Sequence, residues 1–221
     1  MAIETDARAV TLRRIRAAIG GDGAATRASI AREWAMLPRS YNRQPVRNRE
    51  EIIELLEDRL RDYDAYVERV SRVELPGLVE RRLARRGVPR MLAPAGMPIE
   101  LLAAGDVTED AGFGPASLER FDGVMTSATL AIALTGTLVL QNVPGQGRRA
   151  TTLIPDYHLC FVSMATVVET VPEAMARLQA TAAVATTFIS GPSATADIEM
   201  TRIKGVHGPR DLDVLLVDGT L

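Results

Sequence analysis

The chain has 221 residues, 47% of them hydrophobic and 24% charged, and a formal net charge of −2; that composition is ordinary for a soluble globular protein with a sizeable core. A near-neutral balance and 4% aromatic residues exclude the basic, stacking surface that nucleic acid requires. The single cysteine, Cys160, excludes a disulfide framework and any thiolate set for structural zinc or an iron–sulfur cluster in this chain, and fits a reducing cytoplasm.

Met1 to Asp6 lacks the basic start and apolar block of a secretory signal, so a cytoplasmic location is expected. Charge is distributed unevenly. Residues 1–90 carry 19 arginines against 14 acidic residues, whereas residues 91–221 carry 7 basic against 14 acidic ones. Solvated helix faces explain this balance most simply. Lys204 is the only lysine, so arginine alone does not mark a site.

The spacing of Val10, Leu12, Ile15, Ala18 and Ile19 predicts a first amphipathic helix over residues 4–19, closed by Gly20 and Gly21. A second covers residues 24–36 and should bury Ile30, Trp34 and Leu37 on one side. Residues 38–48 read as an arm, so residues 1–48 form a helical extension and residues 49–221 an α/β domain. Arg49 to Arg61 is a strong helix, with Glu50 and Glu51 at its start and Ile52, Ile53, Leu55, Leu56 and Leu60 turned inward. A strand near Val67 and Val70 follows, then a helix over residues 75–86 closed by Gly87. Residues 89–93 predict a strand, 98–104 a short helix and 105–110 an acidic turn or strand. This alternation argues for a mostly parallel open sheet with helices on both faces.

Gly123 to Gly147 contains no charged residue and is long enough to span a membrane. Its threonines and central Gly-Thr break favour a buried core instead: a strand to Ala128, a short helix to Leu134, a turn at Thr135-Gly136-Thr137 and a strand over 138–140. The glycine-rich loop 142–147 ends at Arg148-Arg149, a combination suited to a phosphate or carboxylate. A plain hairpin turn explains the loop equally well. No Walker or dinucleotide glycine fingerprint is present. Residues 157–164 predict a buried strand in which Cys160 is an inert core thiol, and 171–181 a helix with Pro172 in its first turn.

The most unusual stretch runs from Ile189 to Pro209. The apolar run 184–189 stops at Gly191-Pro192-Ser193, after which a helix start would carry Asp197 and Glu199. Such a junction favours an anion, unless those carboxylates occupy it themselves. A second bend, Gly205-Val206-His207-Gly208-Pro209, places an imidazole between glycines. An ordinary turn and a backbone-bonded loop histidine account for both features as well. Leu212 to Val217 predicts a last core strand.

Four segments together carry a family likeness: Arg14-Ile15-Arg16-Ala17-Ala18-Ile19-Gly20, Ala131-Ile132-Ala133-Leu134-Thr135-Gly136-Thr137, Gly191-Pro192-Ser193-Ala194-Thr195-Ala196-Asp197-Ile198-Glu199 and Gly205-Val206-His207-Gly208-Pro209. The chain resembles the lactate utilization protein C family, the LUD domain, over nearly its whole length. The resemblance implies a fold similar to the sugar-isomerase and CoA-transferase superfamily, and a role in oxidising L-lactate to pyruvate beside iron–sulfur protein subunits that carry the clusters. The family usually places a glutamate just before Thr-Gly-Thr, where this chain has Leu134.

The leading expectation is an accessory subunit that binds a small anionic ligand or its partners. Its pocket would gather Thr135, Gly136, Thr137, the Gly145–Arg149 loop, Gly191, Ser193, Gly205 and Gly208 beyond the strand ends. Arg148 would hold the anion, Thr137 and Ser193 would add hydroxyls, and His207 would donate or carry a proton. The alternative is a stand-alone isomerase or acyl-CoA transferase in which Asp197 or Glu199 is base or nucleophile and His207 assists. A third reading makes the basic helices of residues 1–90 a docking surface for partner proteins. Histidine spacing gives no metal motif, and neither a metal nor a membrane span is expected.

Overall fold

The structure, a computed structural model, describes residues 7–19, 23–195, 203–204 and 208–219. The chain divides into two compact units, Met1–Tyr41 and Asn42–Leu221. The first holds helices α1 (Ala7–Ala18) and α2 (Gly23–Met36). The expectation that Ile30, Trp34 and Leu37 are buried is corrected: they are 56%, 66% and 51% exposed. A pair of short helices has no further layer in its own unit to close an apolar face. Arg39 caps the end of α2, donating to the Trp34 carbonyl and lying over the indole ring.

The second unit begins with α3 (Arg49–Asp62), whose Asn48 and Glu51 exchange hydrogen bonds in a capping box that fixes its first turn. Next come β1 (Tyr66–Ser71), α4 (Leu75–Arg86), β2 (Arg90–Ala93), α5 (Ile99–Leu102), β3 (Asp106–Glu109), α6 (Pro115–Leu118) and β4 (Gly123–Ser127). The segment expected to be a short helix to Leu134 is instead β5 (Leu130–Ile132) followed by a single 3-10 turn. Alanine and leucine favour helix, but pairing on both sides overrides that local preference. Then follow β6 (Thr137–Gln141), β7 (Tyr157–Ser163), β8 (Val167–Val168), α7 (Val171–Leu178), β9 (Thr186–Ser190), β10 (Ala194–Thr195), β11 (Ile203–Lys204) and β12 (Asp211–Asp218).

Six strands form a sheet in the order β1-β12-β7-β4-β2-β3, with every neighbouring pair parallel. β7 and β12 are nearly continuous apolar runs because they lie at its centre and are covered on both faces. One face packs on α4 and α5 through Leu78, Val79, Leu83, Leu101, Phe161 and Leu215. The other packs on α3 and on a second sheet, β8-β5-β6-β9, through Leu56, Leu138, Cys160, Val162 and Val214. α7 covers the far side of that second sheet. The charge-free stretch 123–147 is thus β4, β5, β6 and their loops, and among the described residues no helix is long and apolar enough to cross a membrane. Loop 142–147 links β6 in the smaller sheet to β7 in the larger, so it does not turn a hairpin.

Two buried acids tie distant segments together. Asp213 is fully buried and accepts from Arg82 at 2.5 and 3.1 Å, from Arg86 at 2.7 Å and from the Tyr157 hydroxyl at 3.0 Å, pinning α4 to the sheet. Burial, and then the Asp213 charge, push the Tyr157 phenol up. Glu169 is 1% exposed and accepts from the Val46 and Arg47 amides and from the Arg47 guanidinium at 2.6 Å, clasping the arm ahead of α3. Burial raises its carboxyl, but these three donors outweigh it and hold the group below the usual carboxylate range.

Candidate functional site

The bend after β9 is set by Gly191, which lies at φ 78; a Cβ there would stand 2.5 Å from that of Tyr63 at the end of α3. Only glycine fits both the left-handed backbone and that approach. The chain then crosses to meet the bend before β12. The Ser193 amide donates to the Pro209 carbonyl at 2.8 Å, and Gly208 packs on the Ser193 side chain. Two of the glycine-bearing bends therefore close on each other. Where a helix start was expected, Ala194–Thr195 instead pairs antiparallel with Ile203–Lys204, and the part of that expectation carrying Asp197 and Glu199 lies outside the described residues.

Beneath these bends is a pocket of about 250 Å³ whose described walls include Arg149, Thr152, His158, Ser190, Gly191, Ser193, Gly208 and Leu212. It lies between the two sheets, toward the amino ends of β7 and β12, where His158 and Leu212 are register partners. The expectation that the loops would converge beyond the strand ends is modified accordingly.

His158 is 1% exposed and lies 2.8 Å through Nε2 from the Thr126 hydroxyl. Burial, and then the positive charge of Arg149, lower its pKa to about 4, so at neutral pH the imidazole is uncharged. Arg149 donates to the carbonyl and hydroxyl of Thr152 at 3.3 and 3.1 Å, and among the described residues it has no carboxylate partner. Its neighbour Arg148, the expected anion holder, is already committed: Nε and Nη2 reach Asp110 at 2.8 and 3.1 Å, and Nη2 also reaches the Phe113 carbonyl at 2.5 Å. The hydrogen bonds from Arg148 hold the Asp110 carboxyl below its ordinary range. Among the described residues, the member of the Arg148-Arg149 pair without a carboxylate partner is thus the second one.

The remaining expected residues are placed as follows. Thr137 is buried behind the pocket wall in a hydroxyl chain that runs from Thr135 through Thr137 to Ser190, each step 2.8 Å. Gly136, at φ 57, packs on Arg59 of α3 and not on the pocket. Leu134 is 42% exposed on the 3-10 turn and is absent from the described walls. Asp197, Glu199, Gly205 and His207 lie outside the described residues. Cys160 is fully buried and its thiol is pushed up to about 12 by burial, so it is no nucleophile. Sequence reasoning placed Arg149 in the pocket only as the end of the Gly145–Arg149 loop, gave the anion to Arg148, and passed over His158 and Thr152 as pocket walls. The one available signal was a histidine inside an otherwise apolar strand.

The sequence model of the LUD domain matches residues 46–217. Lactate utilization protein C of Deinococcus radiodurans is 42% identical over 174 residues, spanning 77% of this chain and 81% of that protein. The protein of the same name from Halalkalibacterium halodurans is 37% identical over 97 residues, 41% of this chain and 42% of its own length. A crystal structure of a DUF162 family protein from Deinococcus radiodurans superposes with a TM-score of 0.68 at 38% identity, covering 77% of this chain and 99% of that one. The parallel sheet, its accompanying second sheet and these matches together show that the chain belongs to the LUD-domain family of the lactate utilization C proteins.

Proposed function

We propose that this chain serves lactate utilization as an accessory protein that binds a small anion, such as a short-chain carboxylate, in the Arg149–His158 pocket. In this reading it works beside iron–sulfur protein subunits that carry out the electron transfer. The relatives named lactate utilization protein C support the process, and the observation that carries the site is the Arg149 guanidinium, without a carboxylate partner among the described residues, lining one pocket with a neutral imidazole. A guanidinium with open donors is the side chain best suited to a carboxylate. The volume, about 250 Å³, is small even for a drug-sized ligand and suits an acid of a few carbons.

Binding is favoured over chemistry because no described wall residue is a carboxylate base and the imidazole is neutral and held by Thr126. The test is lactate-dependent growth of cells whose only copy carries Arg149→Ala. Growth on L-lactate should be lost while growth on glucose is kept. Unimpaired growth on L-lactate would remove Arg149 from the function.

A further inference from the structure

The Arg149–His158 pocket is one end of a longer surface. A second cleft of about 80 Å³ shares Arg149 and Thr152 with it and continues to Asn142, Gly147 and Arg148. Those last three residues also line a third, larger cleft of about 570 Å³. The third cleft lies beyond the carboxyl ends of β2 and β3, walled by Pro94, Ala95, Gly96, Val143 and Pro144. Carboxyl ends of parallel strands are where open α/β sheets place elongated cofactors. The three clefts thus follow one another through shared wall residues, from the amino ends of β7 and β12 to the carboxyl ends of β2 and β3, and are taken together as one groove.

The chemistry changes along the groove. At its middle, Gly147 lies at φ 72, and the backbone amides of Arg148 and Arg149 that follow it meet no hydrogen-bond acceptor among the described residues. Successive amides after a left-handed glycine make an anion-binding concavity. The Arg149 guanidinium, without a carboxylate partner among the described residues, adds the charge. The far cleft is walled by proline, alanine, valine and glycine, and it is rigid: a Cβ on Gly96 would meet the Pro144 side chain at 2.6 Å, so its two loops are locked together. It offers a flat apolar surface and one carboxylate, Asp110, at its edge.

We infer that the groove takes an elongated ligand of the nucleoside diphosphate type. Its phosphates rest on the Gly147–Arg149 segment and its base and ribose lie against Pro94, Ala95 and Pro144. The small-anion pocket then receives whatever acidic or acyl group such a ligand carries at its other end. This deepens the small-anion reading of the same site and rests on it.

Calorimetric titration of the full chain with ADP, inorganic pyrophosphate and L-lactate tests the inference. ADP should bind at least about tenfold more tightly than pyrophosphate. Ala95→Trp and Asn142→Trp, both at exposed positions lining the far cleft, should remove that advantage with the melting temperature unchanged. Lactate binding should be the same in both variants and in wild type. Equal affinity for ADP and pyrophosphate, absence of ADP binding, or ADP binding untouched by both tryptophans would overturn the groove. Lactate binding retained in that case leaves the small-anion pocket standing, and lactate binding lost as well removes both.

Discussion

Arg148 and Arg149 are adjacent and chemically identical, yet the first is held by Asp110 at 2.8 and 3.1 Å and the second, among the described residues, by only the neutral oxygens of Thr152. The two charges therefore serve different ends. Arg148→Ala should act on stability: it leaves Asp110, whose side chain is 8% exposed, without its guanidinium partner and with the Gly112 and Phe113 amides, at a cost of about 1–3 kcal/mol. Arg149→Ala should leave the melting temperature nearly unchanged and abolish anion binding. Thermal denaturation and titration of both variants check the division.

His158 gives the fold an acid limb. Its folded value of about 4 lies below the ordinary histidine value of 6.5, so the unfolded chain binds the extra proton first. Stability is then full above about pH 6.5 and falls as the pH drops toward 4, by roughly 3 kcal/mol. His158→Gln, which cannot charge, should lose this limb. Urea denaturation between pH 7 and 4.5 reads it, and parallel pH profiles for both proteins would show that the imidazole is not responsible.

The Asp213 cluster makes a prediction of opposite character. Removing the carboxylate in Asp213→Ala leaves Arg82, with its side chain 8% exposed, without its counter-charge, while Arg86 keeps Asp211 at 3.1 Å. The cost should be about 3–5 kcal/mol. Chemical denaturation measures it, and Arg82→Met with Asp213→Leu should recover most of the loss. A double variant no more stable than Asp213→Ala would show that the pair itself is needed.

Glu169 anchors the arm through three donors, so Glu169→Gln should speed hydrogen exchange at the Val46 and Arg47 amides and cost about 1–2 kcal/mol. Because its carboxyl is held below the usual range, the wild-type clasp is complete above the unfolded carboxylate value and is lost as the pH falls through the lower folded one. Exchange rates at those two amides that match wild type at pH 7 would argue against the clasp.

These residues also show where sequence reasoning carries and where it stops. β7 and β12 are legible because buried parallel strands demand long apolar runs, and α3 and α4 because their apolar spacing and caps agree. β5 was not legible: Leu130-Ala131-Ile132, three residues in a segment with helix-favouring alanine and leucine, form a strand because β6 and β8 flank them. The meeting of Gly191–Ser193 with Gly208–Pro209 follows from two bends visible in the sequence. The choice between Arg148 and Arg149 depends on side-chain direction and on Asp110, far away in the chain, which no local pattern records. The same holds for Glu169 and Arg47.

The most direct test of the central claim is a titration of L-lactate and pyruvate into the wild-type chain and into Arg149→Ala at neutral pH. The account predicts saturable binding of at least one of the two by wild type, weakened about tenfold or more by the substitution. No binding by wild type, or equal binding by both proteins, would contradict it.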